Sequence, residues 1–483
     1  MFDIMLKMPW AILLIILPLL TAMAVFVWSR IAQPLVLIFS LLMVIAVIGL
    51  TVQVGYQGVF EYSLGGWNAP LGIELYADGL SVIMLIATSL VGAACSVYAS
   101  AYFNAEQAHR FWPIWLFLLA ALNALFLSAD LFNLYVTLEL MGLAAVALTA
   151  LSGSRDALGG AMRYLLATLA GSVAYLLGVV LLYHTFGSVD IAILADRVTS
   201  EPTVWAALVL MITGLTLKTA LFPLHFWLPP AHASAPSPVS AVLSALVIKA
   251  SFYILIRLWI SLFGPISGEP VAMILGVMGS VAVIYGSVQA LRQTRLKLLI
   301  AYSTIAQIGY LFLVFPLAKA TGAWHAVIVL ALSHALAKAA MFLAAGNLMR
   351  FGGHDRIRDL DRAVQRLPLS VFAFALAGIS IMGLPPSGGF IGKWLMLESA
   401  LVQGRWDLVV VMLVGGLLAA LYIFKVLGRC FTQAEVTHEP IRVSARMEWA
   451  AFLLAGGAIV MGFLAVPFIS LLQIGAPFSG SGL

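Results

Sequence analysis

Six basic side chains, Lys218, Lys249, Arg257, Lys338, Lys393 and Lys425, lie inside apolar runs long enough to be membrane helices. The carboxylate Glu139 does too, and Glu398 lies nearer the end of such a run. Each buried charge is expensive in a bilayer unless paired or hydrated, so these positions are candidates for chemistry. Glu139 sits in LFNLYVTLELMGLAAVALTAL, and Lys218 in MITGLTLKTALFPLHFWLP, five residues before Pro223. A carboxylate and an ammonium on neighbouring helices stabilise each other's charge, and separating them shifts the proton affinity of both. The plainer alternative is a static ion pair that fixes helix packing.

Lys249 lies deep in VSAVLSALVIKASFYILIRLW. A desolvated lysine holds its proton less firmly, which suits reversible proton loading. A snorkelling side chain is the alternative, and the central position argues against it. Arg257 cannot release a proton and reads as a structural or interfacial charge. His334 and Lys338, four apart in LALSHALAKAAMFLAAG, share one helical face. Ser333 adjoins them, His325 sits near the start of their helix, and Ser303, Thr304 and Gln307 polarise the preceding one. This line suits a hydrated proton relay better than a metal, because lysine is a poor ligand.

Two runs carry helix breakers. One contains Phe222-Pro223-Leu224-His225, the other Gly383-Leu384-Pro385-Pro386-Ser387-Gly388-Gly389. Breaks leave carbonyls that need water, ions or side chains. Lys218 precedes the first break and Lys393 follows the second, the reversed order that an inverted repeat produces.

The elements that position these residues follow from composition. Of 483 residues, 63% are apolar and 9% charged. A soluble chain carries roughly a quarter charged residues, so this is a polytopic membrane protein. The net charge of +5 forms no patch for nucleic acid. Cys95 and Cys430 offer neither a disulfide framework nor a cluster or metal spacing, and no cofactor signature occurs.

An apolar run of about 20 residues spans a bilayer as a helix. Fourteen such runs are expected, near 9–28, 33–54, 78–101, 112–129, 131–151, 160–186, 204–228, 238–263, 271–290, 296–317, 323–349, 369–402, 408–431 and 449–472. The first reads as a retained helix, and the run at 369–402 is too long for one plain span. One set of alternate loops holds 15 basic residues, from Arg30 and Arg110 through Arg295, Lys297 and Arg350 to Arg446, and the other set holds four. That asymmetry places the first set in the cytoplasm and both termini outside it. Asp78 and Asp130 sit at helix starts, and Trp67, Trp112, Trp227 and Trp449 fit an interface belt. RFGGHDRIRDLDRAVQRLP reads as an interfacial connection.

Taken together, LEL around Glu139, LKTALFPLHFWLPPAHASAPSPVSAVLSALVIKA, LLIAYSTIAQIGY, SHALAKAAMFLAAGNL and GLPPSGGFIGKWLM resemble the antiporter-like subunit family. That family holds the proton-translocating membrane subunits of respiratory complex I and the Mrp-type multisubunit Na+/H+ antiporters. The resemblance runs from about Asp78 to Arg429, and YSLGGWNAPLGIELYADGLS is similar to the D-type Mrp subunit. The short tail IGAPFSGSGL also points to the D-type or to the shorter complex I subunits.

The resemblance implies an all-α fold of about 14 transmembrane helices with two inverted five-helix repeats, each with one broken helix. Residues 1–109 would hold helices 1–3, 110–263 the first repeat, 271–431 the second, and 432–483 the last helix and tail. It implies that Glu139 and Lys218 form the ion pair of the first repeat, with Lys249 as the central lysine. His334 and Lys338 would carry the second repeat, and Lys393 its terminal ionisable position. The expected function is proton translocation in a hetero-oligomeric monovalent cation/proton antiporter, a transporter component rather than an enzyme. Its partners would be other membrane subunits, with H+ carried here and Na+ through this chain or a neighbour. The competing reading is a pumping arm of a redox complex, with redox centres on partner subunits.

Overall fold

The computed structural model describes residues 6–67, 69–70, 72–434 and 441–475. The tail from 476, positions 68 and 71 of the Mrp-like stretch, and 435–440 lie outside the described residues. The first helices are α1 (Trp10–Val27), α2 (Ala32–Gln57), α3 (Gly79–Tyr102), α4 (Ala105–Phe126) and α5 (Leu131–Thr149). Then come α6 (Arg155–Phe186), α7 (Ile191–Arg197), α8 (Pro202–Thr219), α9 (Leu228–Ser234), α10 (Ser237–Val242) and α11 (Ile248–Leu258). The chain continues through α12 (Gly264–Arg292), α13 (Leu296–Phe312), α14 (Thr321–Gly352), α15 (Ala363–Arg366) and α16 (Pro368–Met382). Last are α17 (Gly388–Val402), α18 (Trp406–Cys430), α19 (Ala445–Val460) and α20 (Ala465–Leu472).

The protein is an almost wholly helical, polytopic membrane protein. Among the described residues it departs from all-α in one antiparallel hairpin, β1 (Phe60–Ser63) with β2 (Glu74–Ala77). Gly65 and Gly66 leave β1 with φ of 69° and 77°, a turn that a side chain resists.

Eleven helical stretches among the described residues are long and apolar enough to cross a membrane, or twelve if α19 and α20, bent by 74°, form one span. The runs expected at 238–263 and 271–290 belong to one 56-residue stretch, Ser237–Arg292, which bends at Gly268 (φ 59°). The long run at 369–402 divides into α16 and α17 around Gly383 (φ 82°).

Lipid tails are as apolar as leucine, so helices associate in a bilayer by close packing of small residues. Gly171 of α6 crosses Gly214 of α8 so closely that a Cβ on Gly214 would sit 2.3 Å from the Gly171 carbonyl oxygen. Gly279 of α12 and Gly309 of α13 repeat the device, at 2.5 Å. The stretch from Ser237 and helix α14 both hold membrane-length windows buried entirely inside the protein, whereas only 33% of the α1 window is buried. The two innermost stretches are those that carry Lys249, His334 and Lys338.

Three expectations are corrected. Lys297, counted with the loops, is buried in the first turn of α13, where its stem is covered and its ammonium donates to the Ala235 carbonyl. Trp112 and Trp227 are buried rather than interfacial. The Trp227 ring stacks on Tyr164 with centroids 4.5 Å apart while its Nε1 donates to Leu217 O, so both halves of the indole find partners inside. Trp67 and Trp449 are exposed, as an interface belt requires.

Asp78 and Asp130 do cap α3 and α5, accepting from Ser81 N (2.9 Å) and Asn133 N (2.7 Å). Asp78 is fully buried and meets Arg257 side-on, with Nη1 to Oδ2 at 2.6 Å. Arg257 also donates to Ser81 Oγ (2.8 Å) and Tyr253 Oη (3.0 Å). Burial, then the Asp78 carboxylate, push the Tyr76 phenol beside this cluster up to about 12. Arg257 is thus a structural charge that ties α11 to α3. Removing one partner of such a pair costs about 3–5 kcal/mol. Arg257→Ala is therefore expected to lower the thermal stability of the detergent-solubilised protein sharply. Arg110→Ala, which breaks the exposed pair with Glu106, should leave it unchanged. Equal melting of the two variants would contradict this assignment.

Candidate functional site

The ion pair expected in the first half is formed. Lys218 Nζ lies 3.0 Å from Glu139 Oε1, with the lysine side chain 3% and the carboxylate 20% exposed. Ser172 of α6 donates its hydroxyl to the same Oε1, so one oxygen serves both donors. The Gly171–Gly214 crossing is what admits the pair, because a Cβ on Gly171 would lie 3.1 Å from Lys218 Cγ. Helix α8 ends one residue after Lys218, and Ala220 turns left-handed (φ 57°). The lysine therefore stands at the last turn before the break, where helix carbonyls favour a cation.

Lys249 follows a π-helical turn, Leu243–Val247, and its Nζ donates to the Ser244 carbonyl at 2.8 Å. Such wide turns displace one residue from the regular ladder and frequently accompany functional sites. The Ser244 hydroxyl meets Thr304 Oγ1 of α13 at 2.9 Å. Thr304 donates to Ile300 O (3.0 Å), and the same carbonyl accepts from Lys338 Nζ at 3.2 Å. Lys338 also donates to Ser303 Oγ. A polar line thus runs Lys249, Ser244, Thr304, Ile300 carbonyl, Lys338, across three helices that are apolar on either side.

His334 and Lys338 are both buried on the face of α14 that their spacing predicts. Neither ring nitrogen of His334 has a hydrogen-bond partner among the described residues. Beside them Ser333 meets Ser380 Oγ of α16 at 2.8 Å. Lys393 reaches back from α17 to the broken end of α16, donating to Ile381 O (2.7 Å) and Met382 O (3.4 Å). Its Nζ stands 4.2 Å from the centre of the Tyr310 ring, and the Tyr310 hydroxyl is fixed by the Met412 carbonyl at 2.7 Å. The free carbonyls of a broken helix and an aromatic face are both stations for a cation.

The structure gives the remaining candidates other places. Lys425 donates to Leu291 O and Gln293 O, both at 2.7 Å, and so closes the C-terminus of α12. Glu398 is exposed on α17. No hydrogen bond joins Lys218 to Lys249, or Lys338 to Lys393, among the described residues, so the six predicted residues form three stations rather than one continuous chain. Sequence reasoning missed Ser172, Ser244 and Tyr310. Ser244 precedes Lys249 by five residues, a spacing that faces it only because the turn is wide. Ser172 and Tyr310 carry no signal beyond being polar atoms in apolar runs.

With this geometry in place, residues 128–419 match the family described as "NADH:quinone oxidoreductase/Mrp antiporter, TM". The chain belongs to that family. It is 36% identical over 434 residues to the N-type subunit of NADH-quinone oxidoreductase from Desulforudis audaxviator, covering 87% of this chain and 86% of that one. It is 30% identical over 390 residues to the D-type subunit of the Na+/H+ antiporter from Alkalihalophilus pseudofirmus, covering 80% and 78%. Its fold is that of a chain in the Mrp complex from Dietzia sp., with a TM-score of 0.89, 24% identity and 97% of each chain covered.

Two outcomes follow. Gly214→Val forces α6 from α8 and draws Lys218 from Glu139, so ion transport by the assembled complex should fall with the pair; transport at the wild-type rate would show that the crossing does not position it. Tyr310→Phe keeps the ring under Lys393 and should retain most transport, whereas Tyr310→Leu removes the face and should lose it. Equal rates for these two variants would exclude the aromatic station.

Proposed function

We propose that this chain is the proton-carrying membrane subunit of a multisubunit Na+/H+ antiporter. The observation that carries the reading is the polar line from Lys249 through Ser244, Thr304 and the Ile300 carbonyl to Lys338, which joins the two innermost stretches of the protein. Protonation and separation of the Glu139–Lys218 pair change the field at Lys249. Charge then passes along the line to Lys338 and His334, and on to Lys393. Repeats at 110–263 and 271–431 and fourteen spans, with the basic loops in the cytoplasm of a prokaryotic cell and both termini outside, complete the reading. A dedicated sodium site needs converging carboxylates and carbonyls, and Glu139 is the one carboxylate well inside the expected spans. Na+ therefore passes through a partner subunit. The relatives named as D-type antiporter subunits support the exchange of Na+ for H+.

The second reading has an observation of its own, the 36% identity to a subunit named for NADH-quinone oxidoreductase. There the same proton line is driven by electron transfer on partner subunits.

One experiment separates the two readings. Inside-out vesicles holding the intact complex are given a proton gradient, Na+ is added, and a pH-sensitive dye is followed for wild type and Lys249→Ala. Collapse of the gradient by Na+ in wild type alone is the expected result. If Na+ leaves the gradient intact while Lys249→Ala slows acidification driven by an electron donor, the antiporter reading falls and the redox pump stands.

A further inference from the structure

Asp130 and Asp190 stand directly opposite each other in an isolated antiparallel bridge. Leu131 N donates to Val189 O (2.9 Å) and Ile191 N to Ala129 O (3.2 Å), so the two aspartates form the pair that these hydrogen bonds flank. In such a pair the α-carbons approach to about 4.5 Å and the side chains lie closest. Like charges placed this way repel. Both residues are buried, at 8% and 7% exposed. Among the described residues no basic side chain forms an ion pair with either of them. Arg197, the basic residue of α7, donates to the Phe186 carbonyl instead (3.3 Å).

Each carboxylate gives one oxygen to a helix start. Asp130 Oδ1 accepts from Asn133 N of α5, and Asp190 Oδ1 accepts from Ile193 N of α7 at 2.8 Å. The second oxygen of Asp130, Oδ2, is buried with no hydrogen-bond partner among the described residues. A cavity of about 350 Å³ lies alongside, with Asp130 in its wall beside Ile73, Phe132, Val179 and Tyr183. An ionised carboxylate can only accept, whereas a protonated one gains an O–H that a neighbouring carboxylate takes up. Two carboxyls held this close share one proton rather than ionise together. Asp190 is the charged group that faces Asp130, and Tyr175 of α6, whose hydroxyl donates to Leu131 O at 3.3 Å, is the titratable group near it. Burial first, and the Asp190 charge after it, raise the Asp130 carboxyl above its ordinary value, although the Asn133 and Phe132 amides pull it down.

We propose that Asp130 and Asp190 form a proton-binding clasp, in which one proton shared by the two side chains holds the turn between α6 and α7 against the start of α5. The proton is taken from water between Asp130 Oδ2 and the Asp190 carboxylate, and it returns to water when the pair ionises. No further reactant is needed. While the proton is held, the pair carries one negative charge and the bridge is closed. Once both carboxyls are ionised the repulsion is complete, so the clasp loosens as pH rises and not as it falls. The clasp closes the ends of α5 and α6, the two helices that bring Glu139 and Ser172 together. The inference holds whether the assembled complex is driven by Na+ or by electron transfer.

The test is amide hydrogen exchange of the intact complex, read at Leu131 and Ile191 for wild type and Asp190→Asn, at one acid and one alkaline pH. Asparagine caps a helix about as well as aspartate, so the variant keeps the turn and loses the charge. Comparison at the same pH leaves only the difference in local opening. The expected result is equal protection in acid, and exchange several-fold faster in wild type than in the variant in alkali. Asp130→Asn should behave in the same way, and replaces Asp190→Asn if that variant does not assemble. Infrared difference spectra give a second reading. Wild type should show a protonated-carboxyl stretch that titrates above the ordinary carboxylate range and is missing from Asp130→Asn. Equal exchange by wild type and variant in alkali, slower exchange by wild type there, or the absence of that stretch from wild type would each overturn the proposal.

Discussion

The rest of the structure answers to one imbalance: along the line of candidate proton carriers a single carboxylate, Glu139, stands against four lysines placed across the hydrophobic interior. Only Lys218 meets it, at 3.0 Å. Lys249, Lys338 and Lys393 face carbonyls, hydroxyls or an aromatic ring instead. In a medium of low dielectric a second positive charge nearby is felt strongly, because little screens it. Lysines placed this way would each respond to whether their neighbours are charged, which is the coupling the proposed relay uses. The buried pair of Arg257 with Asp78 stands apart from the line: a guanidinium cannot release its proton, so it serves as an anchor.

Placing dipoles against those lysines requires irregular helices. A regular helix keeps its carbonyls for itself. The π-helical turn at Leu243–Val247 brings the Ser244 carbonyl to Lys249. The break after Met382 frees two carbonyls for Lys393, and the end of α8 at Thr219 leaves Lys218 on the last turn before a break. Such breaks survive in a membrane only where neighbouring helices cover them. The glycine crossings provide that cover by letting backbones touch, as Gly171 does with Gly214.

Much of this was legible in the sequence, and for identifiable reasons. Charges inside apolar runs are rare enough to stand out, so Glu139, Lys218, Lys249, His334, Lys338 and Lys393 could be picked by residue type alone. The four-residue spacing of His334 and Lys338 fixed their shared face, and prolines with glycines located both breaks. What stayed hidden depends on tertiary distance. Nothing in VSAVLSALVIKASFY marks a wide turn, so Ser244 was invisible as a partner. Tyr310 is one aromatic among many. Lys297 sits beside Arg295 in what reads as a basic loop, and only the packing of α9 over α13 buries it. Trp112 and Trp227 misled for the converse reason, since an indole's apolar body and polar N–H suit a bilayer interface and a partnered interior equally.

The central claim is that Glu139 and Lys218 act as one switch rather than as two independent charges. The most direct measurement is a double-mutant cycle on proton transport by the intact complex in vesicles, with Glu139→Gln, Lys218→Met and the two combined. Groups that act as a unit are strongly non-additive. The account predicts that the double variant is no slower than the slower single variant. Losses that simply multiply would mean that the two residues act separately, and would contradict it.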